Sequence, residues 1–247
     1  MKTNHQAALI AAIIALILLG ASRVNAQSTS PSVPVGTLIA SPTVVQTGTK
    51  PTLTWNINYP SVVKDYITVS GSATITPKQA LHCDIRILGA GVTTQDAKGA
   101  IVYIETVGQV KYNGSSSWTS IFDGKQTDTI VQQQGILPLF TNKSITINQA
   151  MNFGGYYIYN GSNGTKYYST SGTNVRALVN GDPCPSYIPA YNAPSLESFL
   201  KPYLDSSNKV RIGPMDVIIF MELTTTNTAD VGYDFQDLVW LVTFRSP

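Results

Sequence analysis

The sequence predicts an all-β protein, an antiparallel β-sandwich with one short helix near residues 195–205. Three observations carry this. Leu53, Trp55, Ile57 and Tyr59 alternate with Thr54, Asn56 and Asn58, and Leu81, Cys83, Ile85 and Ile87 alternate with His82, Asp84 and Arg86. A period of two with one apolar face marks a half-buried strand. Asn-Gly pairs at Asn113-Gly114, Asn160-Gly161 and Asn163-Gly164 supply the positive φ angles that tight hairpin turns need. Val217 to Met221 and Leu238 to Val242 are continuously apolar, as strands buried on both faces are.

The chain opens with Met1, Lys2 and His5, followed by an apolar run from Ala7 to Ala21. That run is shorter than the ~20 residues of a membrane-spanning helix. Val24-Asn25-Ala26 places small residues at −3 and −1 of a cleavage site after Ala26, so residues 1–26 read as a secretory signal peptide. No Cys lies near Leu19-Gly20-Ala21-Ser22 to carry a lipid, and no second apolar run of membrane length follows. The expected address is the periplasm, the cell surface or the extracellular space, with no membrane insertion once the signal is removed.

Residues 27–36 form a Ser/Pro-rich leader expected to be flexible, and residues 37–247 a single large sandwich domain. A weakly marked subdomain boundary would fall near residue 100. Ser41 to Gly48 reads as a short edge strand, and Pro51 to Tyr59 as the strand after a Gly turn. Thr52-Leu53-Thr54-Trp55 in that setting resembles the opening of an immunoglobulin-like sandwich, although the Cys…Trp…Cys spacing of antibody domains is absent. A jelly-roll-like arrangement satisfies the same pattern.

Leu81 to Ile87 and Ala100 to Val107 are the next strands, with His82, Asp84 and Arg86 facing outward. Gln109 to Phe122 and Gly154 to Ser169 read as hairpins turning on their Asn-Gly pairs, and Asn180 to Pro185 as a loop. In Ser195 to Asp205, Leu196, Phe199, Leu200 and Leu204 share a helical face, Ser195 can cap it, and Pro202 keeps it short. The two apolar segments are expected at the centre of a sheet, the C-terminal one completing it.

Gly48-Thr49-Lys50-Pro51-Thr52-Leu53-Thr54-Trp55, Tyr59-Pro60, and Asp234 to Val242 resemble a set of uncharacterised exported bacterial proteins of Verrucomicrobia type. The resemblance implies a bacterial source and one integrated unit from about residue 40 onward. It implies no activity, and no functional residue is carried over from it.

Composition narrows function by exclusion. The signal takes Lys2 and Arg23 with it, which leaves 14 basic residues against 14 acidic and a mature chain of zero formal charge. No Lys/Arg run is present to neutralise phosphates, so nucleic acid is excluded as a partner. Charged residues are 12% of the chain, about half the usual ~25%. A neutral polar surface on β structure suits protein or glycan surface partners, and it permits self-association.

Catalytic signatures are missing. His82 is the single histidine after the signal, and no G-x-S-x-G elbow or phosphate-binding glycine motif occurs. Glu222, inside Met221-Glu222-Leu223, is the candidate acid if the protein is a glycoside hydrolase. The simpler reading is that the strand reaches the surface at Glu222 and runs out into Thr224-Thr225-Thr226. No cofactor is implied; Asp230, Asp234 and Asp237 are candidate Ca²⁺ ligands in an oxygen-rich loop, although the D-x-D-x-D-G pattern is absent. Tyr156, Tyr157, Tyr159, Tyr167 and Tyr168 crowd together. Tyr157, Tyr159 and Tyr167 are the candidate ligand-binding residues, since an apolar ring with a hydroxyl suits sugars and interfaces. Aromatic cross-strand pairing is the competing explanation.

Cys83 and Cys184 could bridge in an oxidising compartment, closing a loop worth up to about 4.7 kcal/mol in the chain-entropy account. Alternatively Cys83 packs as a small hydrophobe on the inward phase of its strand. The reading favoured by sequence is a secreted, non-enzymatic protein with a structural or interaction role in the envelope or extracellular matrix. A carbohydrate-binding module is the alternative, and a hydrolase using Glu222 the third.

Overall fold

The computed structural model describes residues 35–41, 52–58, 61–70, 73–132, 138–170, 172–184, 200–230 and 232–247. Its first strands are β1 (Val35–Ser41), β2 (Thr52–Asn58), β3 (Ile67–Val69), β4 (Ile75–Pro77), β5 (Leu81–Gly89), β6 (Thr93–Gln95), β7 (Ile101–Tyr103), β8 (Glu105–Tyr112) and β9 (Thr119–Gly124). They continue as β10 (Pro138–Ile145), β11 (Met151–Tyr159), β12 (Ser162–Asn163), β13 (Tyr167–Tyr168), β14 (Val175–Val179), β15 (Asp216–Met221) and β16 (Leu238–Arg245). Among the described residues, helical structure is limited to α1 (Val63–Tyr66), α2 (Thr129–Gln132) and a 3₁₀ turn at Lys201–Tyr203.

Among the described residues all strand pairs are antiparallel, and two sheets dominate. The five-stranded sheet has the order β10-β5-β16-β15-β14; the seven-stranded sheet has the order β3-β4-β11-β8-β9, with β12 and β13 paired to β11. Strands from both sides of residue 100 enter the sandwich: β5 lies beside β16, and β4 beside β11. The β1–β2 and β6–β7 hairpins are separate two-stranded ribbons.

The two continuously apolar segments are β15 and β16, side by side in the five-stranded sheet. Their alternate residues face different cores. Val217, Ile219, Met221, Leu238, Trp240, Val242 and Phe244 join Cys83, Ile85 and Ile87 in the core between the sheets. Ile218, Phe220, Val239 and Leu241 face the other way, where Cys184, Leu200, Val210, Tyr233 and Phe235 cover them. Loops thus form a third layer, and that is why neither strand alternates in polarity.

Trp240 registers the two sheets. Its ring occupies the hollow left by Gly108 on the facing sheet, where a Cβ would overlap Trp240 Cζ2 and lie 2.8 Å from Leu238 Cδ2. Phe153 meets it edge-on, with centroids 6.0 Å apart.

Several sequence expectations are revised. β1 starts at Val35, inside the segment read as leader, and pairs with β2; most of the strand expected at 41–48 lies outside the described residues. The signal peptide also lies outside them. Of the helix expected at 195–205, residues 195–199 lie outside, and the described part is the 3₁₀ turn and extended chain at Leu204. The strand expected at 100–107 breaks at Ile104, so β7 pairs with β6 while β8 joins the sandwich. Asp84, on the face opposite the main core, is covered there: its carboxylate accepts from Arg245 at 2.9 Å and from the Asn142 N–H at 2.7 Å.

The disulfide is not formed; Cys83 and Cys184 are buried free thiols. They belong to cores on opposite faces of the five-stranded sheet, so the sheet itself separates them. Burial raises the Cys83 thiol to about 12 and the Cys184 thiol to about 11.

Candidate functional site

β11 is the strand that builds the site. Its Asn160-Gly161 turn has φ angles of 50° and 75°, which folds β12 back with Tyr159 opposite Ser162. Two positive φ angles in succession are what a two-residue hairpin turn requires, and Asn-Gly supplies them with least strain. β13 then returns along the same edge, placing Tyr168 opposite Gly154 and Tyr167 opposite Gly155. The tyrosines of β13 therefore face glycines and not each other. A Cβ on Gly154 would strike the Tyr168 ring.

Period two separates the tyrosines. Tyr157 and Tyr159 line one groove together with Thr93 and Thr94 of β6, the buried Val92 and Ile104, and Thr224. Its volume is about 180 Å³, and none of these lining side chains is charged. Tyr159 is 47% exposed at its mouth. Tyr156, in the other phase, lies under the Lys166 ammonium at 5.0 Å. Tyr168 stacks on Trp118 with centroids 4.0 Å apart, and its hydroxyl donates to Gln109 Oε1. Tyr167, expected with the other two candidates, is outside the groove lining and packs against the main core.

Just behind Thr224 lie three buried carboxyls. Glu222, Asp234 and Asp237 have relative exposures of 0%, 6% and 5%, and ligand atoms from all three fall within 4.8 Å of one another. Glu222 does not surface as the sequence reading favoured. It turns toward the loop 224–237, and its oxygens gather that loop. Oε1 accepts from the N–H groups of Thr224 (2.9 Å) and Thr225 (3.1 Å) and from the Thr224 hydroxyl (2.5 Å). Oε2 accepts from the N–H groups of Asp234 (3.0 Å) and Phe235 (3.4 Å). Asn174 clamps the same place from β14's side, its Nδ2 donating to the carbonyls of Glu222 and Thr225. Asp237 Oδ2 accepts from the Leu223 N–H at 2.6 Å.

Burial comes first, and then the charges of Glu222 and Asp234 and a hydrogen bond to Glu222, in holding the Asp237 carboxyl well above the usual carboxylate range. Glu222, by contrast, is surrounded by the donors of its own loop. Three carboxyls this close, away from water, repel one another when charged, which is the direction in which Asp237 is shifted.

Asp230 does not stand with Asp234 and Asp237 in this cluster. Asp230 is exposed and stands in a separate turn, its Oδ1 accepting from the Gly232 N–H. Glu222 takes its place beside Asp234 and Asp237. Sequence reasoning missed this because Glu222 and Asp234 are on different segments, joined only when Gln236 bridges beside Met221. The lone apolar context of Glu222 was the available signal. His82 is half-buried on β5, and its Nδ1 lies 3.2 Å from the Ser144 hydroxyl across the β5–β10 ladder.

Comparison with known protein families, with curated proteins and with solved structures found no match.

Proposed function

We propose that the protein is an exported, non-enzymatic recognition protein of the bacterial envelope or extracellular matrix, and that the end formed by β6, β7 and β11 is its contact surface. One observation carries the reading. The described large hydrophobic side chains left exposed are Ile101 (45%), Val102 (40%), Ile147 (57%) and Tyr159 (47%), and three of these four belong to β7 or β11. Val102 pairs with Thr94, which lines the groove. Exposed apolar side chains grouped beside a groove mark contact surfaces, whereas scattered ones need no explanation.

The hydrolase alternative loses its acid. A glycosidase carboxyl must reach substrate, and Glu222 is sealed and fully engaged by the backbone of its own loop. The test is binding of the purified protein to a cell-surface fraction of the producing cells, with self-association followed by sedimentation. Val102→Asp places a charge on an exposed position and leaves both cores untouched. The expected result is binding or self-association that this substitution abolishes. A protein that stays monomeric and binds no surface fraction, or one whose binding ignores Val102→Asp, overturns the proposal.

A further inference from the structure

We infer that the groove between β6 and β11 is a subsite for one neutral sugar ring of a glycan, with Tyr159 as its stacking surface and Thr94 and Thr224 as hydrogen-bond partners. The inference rests on the reading of this end as the contact surface and goes beyond it in naming the ligand.

Size comes first. About 180 Å³ is less than the roughly 300–1,000 Å³ of pockets that enclose a whole small-molecule ligand. A groove of this size holds one ring of a longer chain, the rest remaining in solvent. Chemistry comes second. The lining combines two tyrosine rings, three threonine hydroxyls and the apolar Val92 and Ile104. A charged ligand would lose hydration here and find no counter-charge. Threonine hydroxyls both donate and accept, which matches ring hydroxyls of either role. A tyrosine face matches the apolar face of a pyranose, and it contributes area at low conformational cost.

Preorganisation comes third. The Tyr157 ring lies against Gly164, where a Cβ would come within 2.5 Å of Tyr157 Cε1, and the Gly164 N–H donates to the Tyr157 carbonyl at 2.8 Å. Glycine at 164 therefore sets where the ring stands. Thr224 is held on the opposite wall. Its hydroxyl donates to Glu222 Oε1, which leaves the oxygen's lone pairs to accept from a ligand. The buried carboxyl thus acts as a positioning residue for one wall. Neither wall must reorganise when a ring enters, so less ordering free energy opposes binding.

The test is calorimetric or NMR titration of the full chain, expressed with its own leader and purified as the cell processes it. The probes are short neutral gluco-, manno- and N-acetylglucosamine oligosaccharides, with a polyuronate as the charged counterpart. Saturable binding of a neutral oligosaccharide is expected, and it should weaken by about tenfold or more in Tyr159→Ala, the loss expected for a central aromatic contact. Gly164→Ala should weaken it too by displacing the Tyr157 ring, while Tyr156→Ala, in the other phase of the strand, should not. An unchanged thermal melting curve for Tyr159→Ala separates lost binding from lost folding. Absence of saturable binding by every neutral probe, a preference for the polyuronate, or binding that survives Tyr159→Ala overturns the assignment. If no sugar binds but Val102→Asp still abolishes cell-surface binding, the recognition reading stands and the sugar subsite falls.

Discussion

Replacing Glu222 by Gln tests the claim that this carboxylate is the organiser of the loop 224–237. The substitution keeps shape and volume and exchanges one oxygen for an NH₂ group. Oε1 serves three donors and Oε2 two. Whichever way the amide is turned, at least two donors then face a donor. A buried N–H or O–H left without an acceptor costs about 1–3 kcal/mol. Removing one negative charge beside Asp234 and Asp237 offsets part of that. The net expectation is a loss of about 2 kcal/mol, or a urea midpoint lower by about 1 M for a domain of this size. Equilibrium urea unfolding followed by tryptophan fluorescence measures it, and Trp240 in the core between the sheets provides the signal. Glu222→Leu, which removes both acceptors, should be more damaging than Gln. A Gln variant within about 0.5 kcal/mol of the parent, the usual scatter of surface substitutions, would refute the reasoning, because the hydrogen bonds to Glu222 would then contribute nothing net.

Asp237→Asn should flatten the dependence of stability on pH. Burial raises the folded Asp237 above its unfolded value of about 3.9, so the folded state holds the proton more tightly. That stabilisation is fully present below the unfolded pKa and is lost as pH rises through the folded one. Asn keeps a donor toward Glu222 and cannot ionise; urea midpoints measured from acidic to alkaline pH should therefore fall less than in the parent, and an equal fall would count against the raised Asp237 carboxyl. Gly108→Ala should lower stability by about 1–3 kcal/mol through overpacking against Trp240, read as a lower melting temperature. Neither cysteine should react with an alkylating reagent at neutral pH in the native protein, and both should react after unfolding without reductant. A mass shift for no thiol in that unfolded sample would show that the bridge forms after all.

Much of the architecture was legible locally. Alternation at Leu81 to Ile87 placed Cys83, Ile85 and Ile87 in the core between the sheets, because a strand turns its side chains over at every residue. The unbroken apolarity of Val217 to Met221 and Leu238 to Val242 identified strands covered on both sides. Asn160-Gly161 announced its turn, and the same period of two put Tyr157 and Tyr159 on one face. Each of these is a short-range rule, acting within a few residues of chain.

The carboxyl cluster and the groove obeyed no such rule. Glu222 was read as surfacing, since an ionised carboxyl inside a core is costly unless partners are supplied. The donors to one of its oxygens come from twelve and thirteen residues away, at the N–H groups of Asp234 and Phe235. Asp230, nearer in the chain to Glu222, turned into solvent. The two thiols, Cys83 inward by its strand pattern and Cys184 in a loop, ended on opposite faces of one sheet. Thr93 and Thr94 met Tyr157 and Tyr159 only because the β6–β7 ribbon and β11 come together at one end.

The sequence by itself determined the strands whose apolar pattern is local, among them Leu81 to Ile87, Val217 to Met221 and Leu238 to Val242, and which of their residues point the same way. Tertiary structure alone decided which faces met. Backbone periodicity is a property of neighbouring residues, whereas the approach of Glu222 to Asp234 and Asp237, the separation of Cys83 from Cys184 and the lining of the groove depend on strand order and register. Those are chosen by the packing of the whole chain, with Trp240 set into the hollow at Gly108 as one of the contacts that fixes the choice.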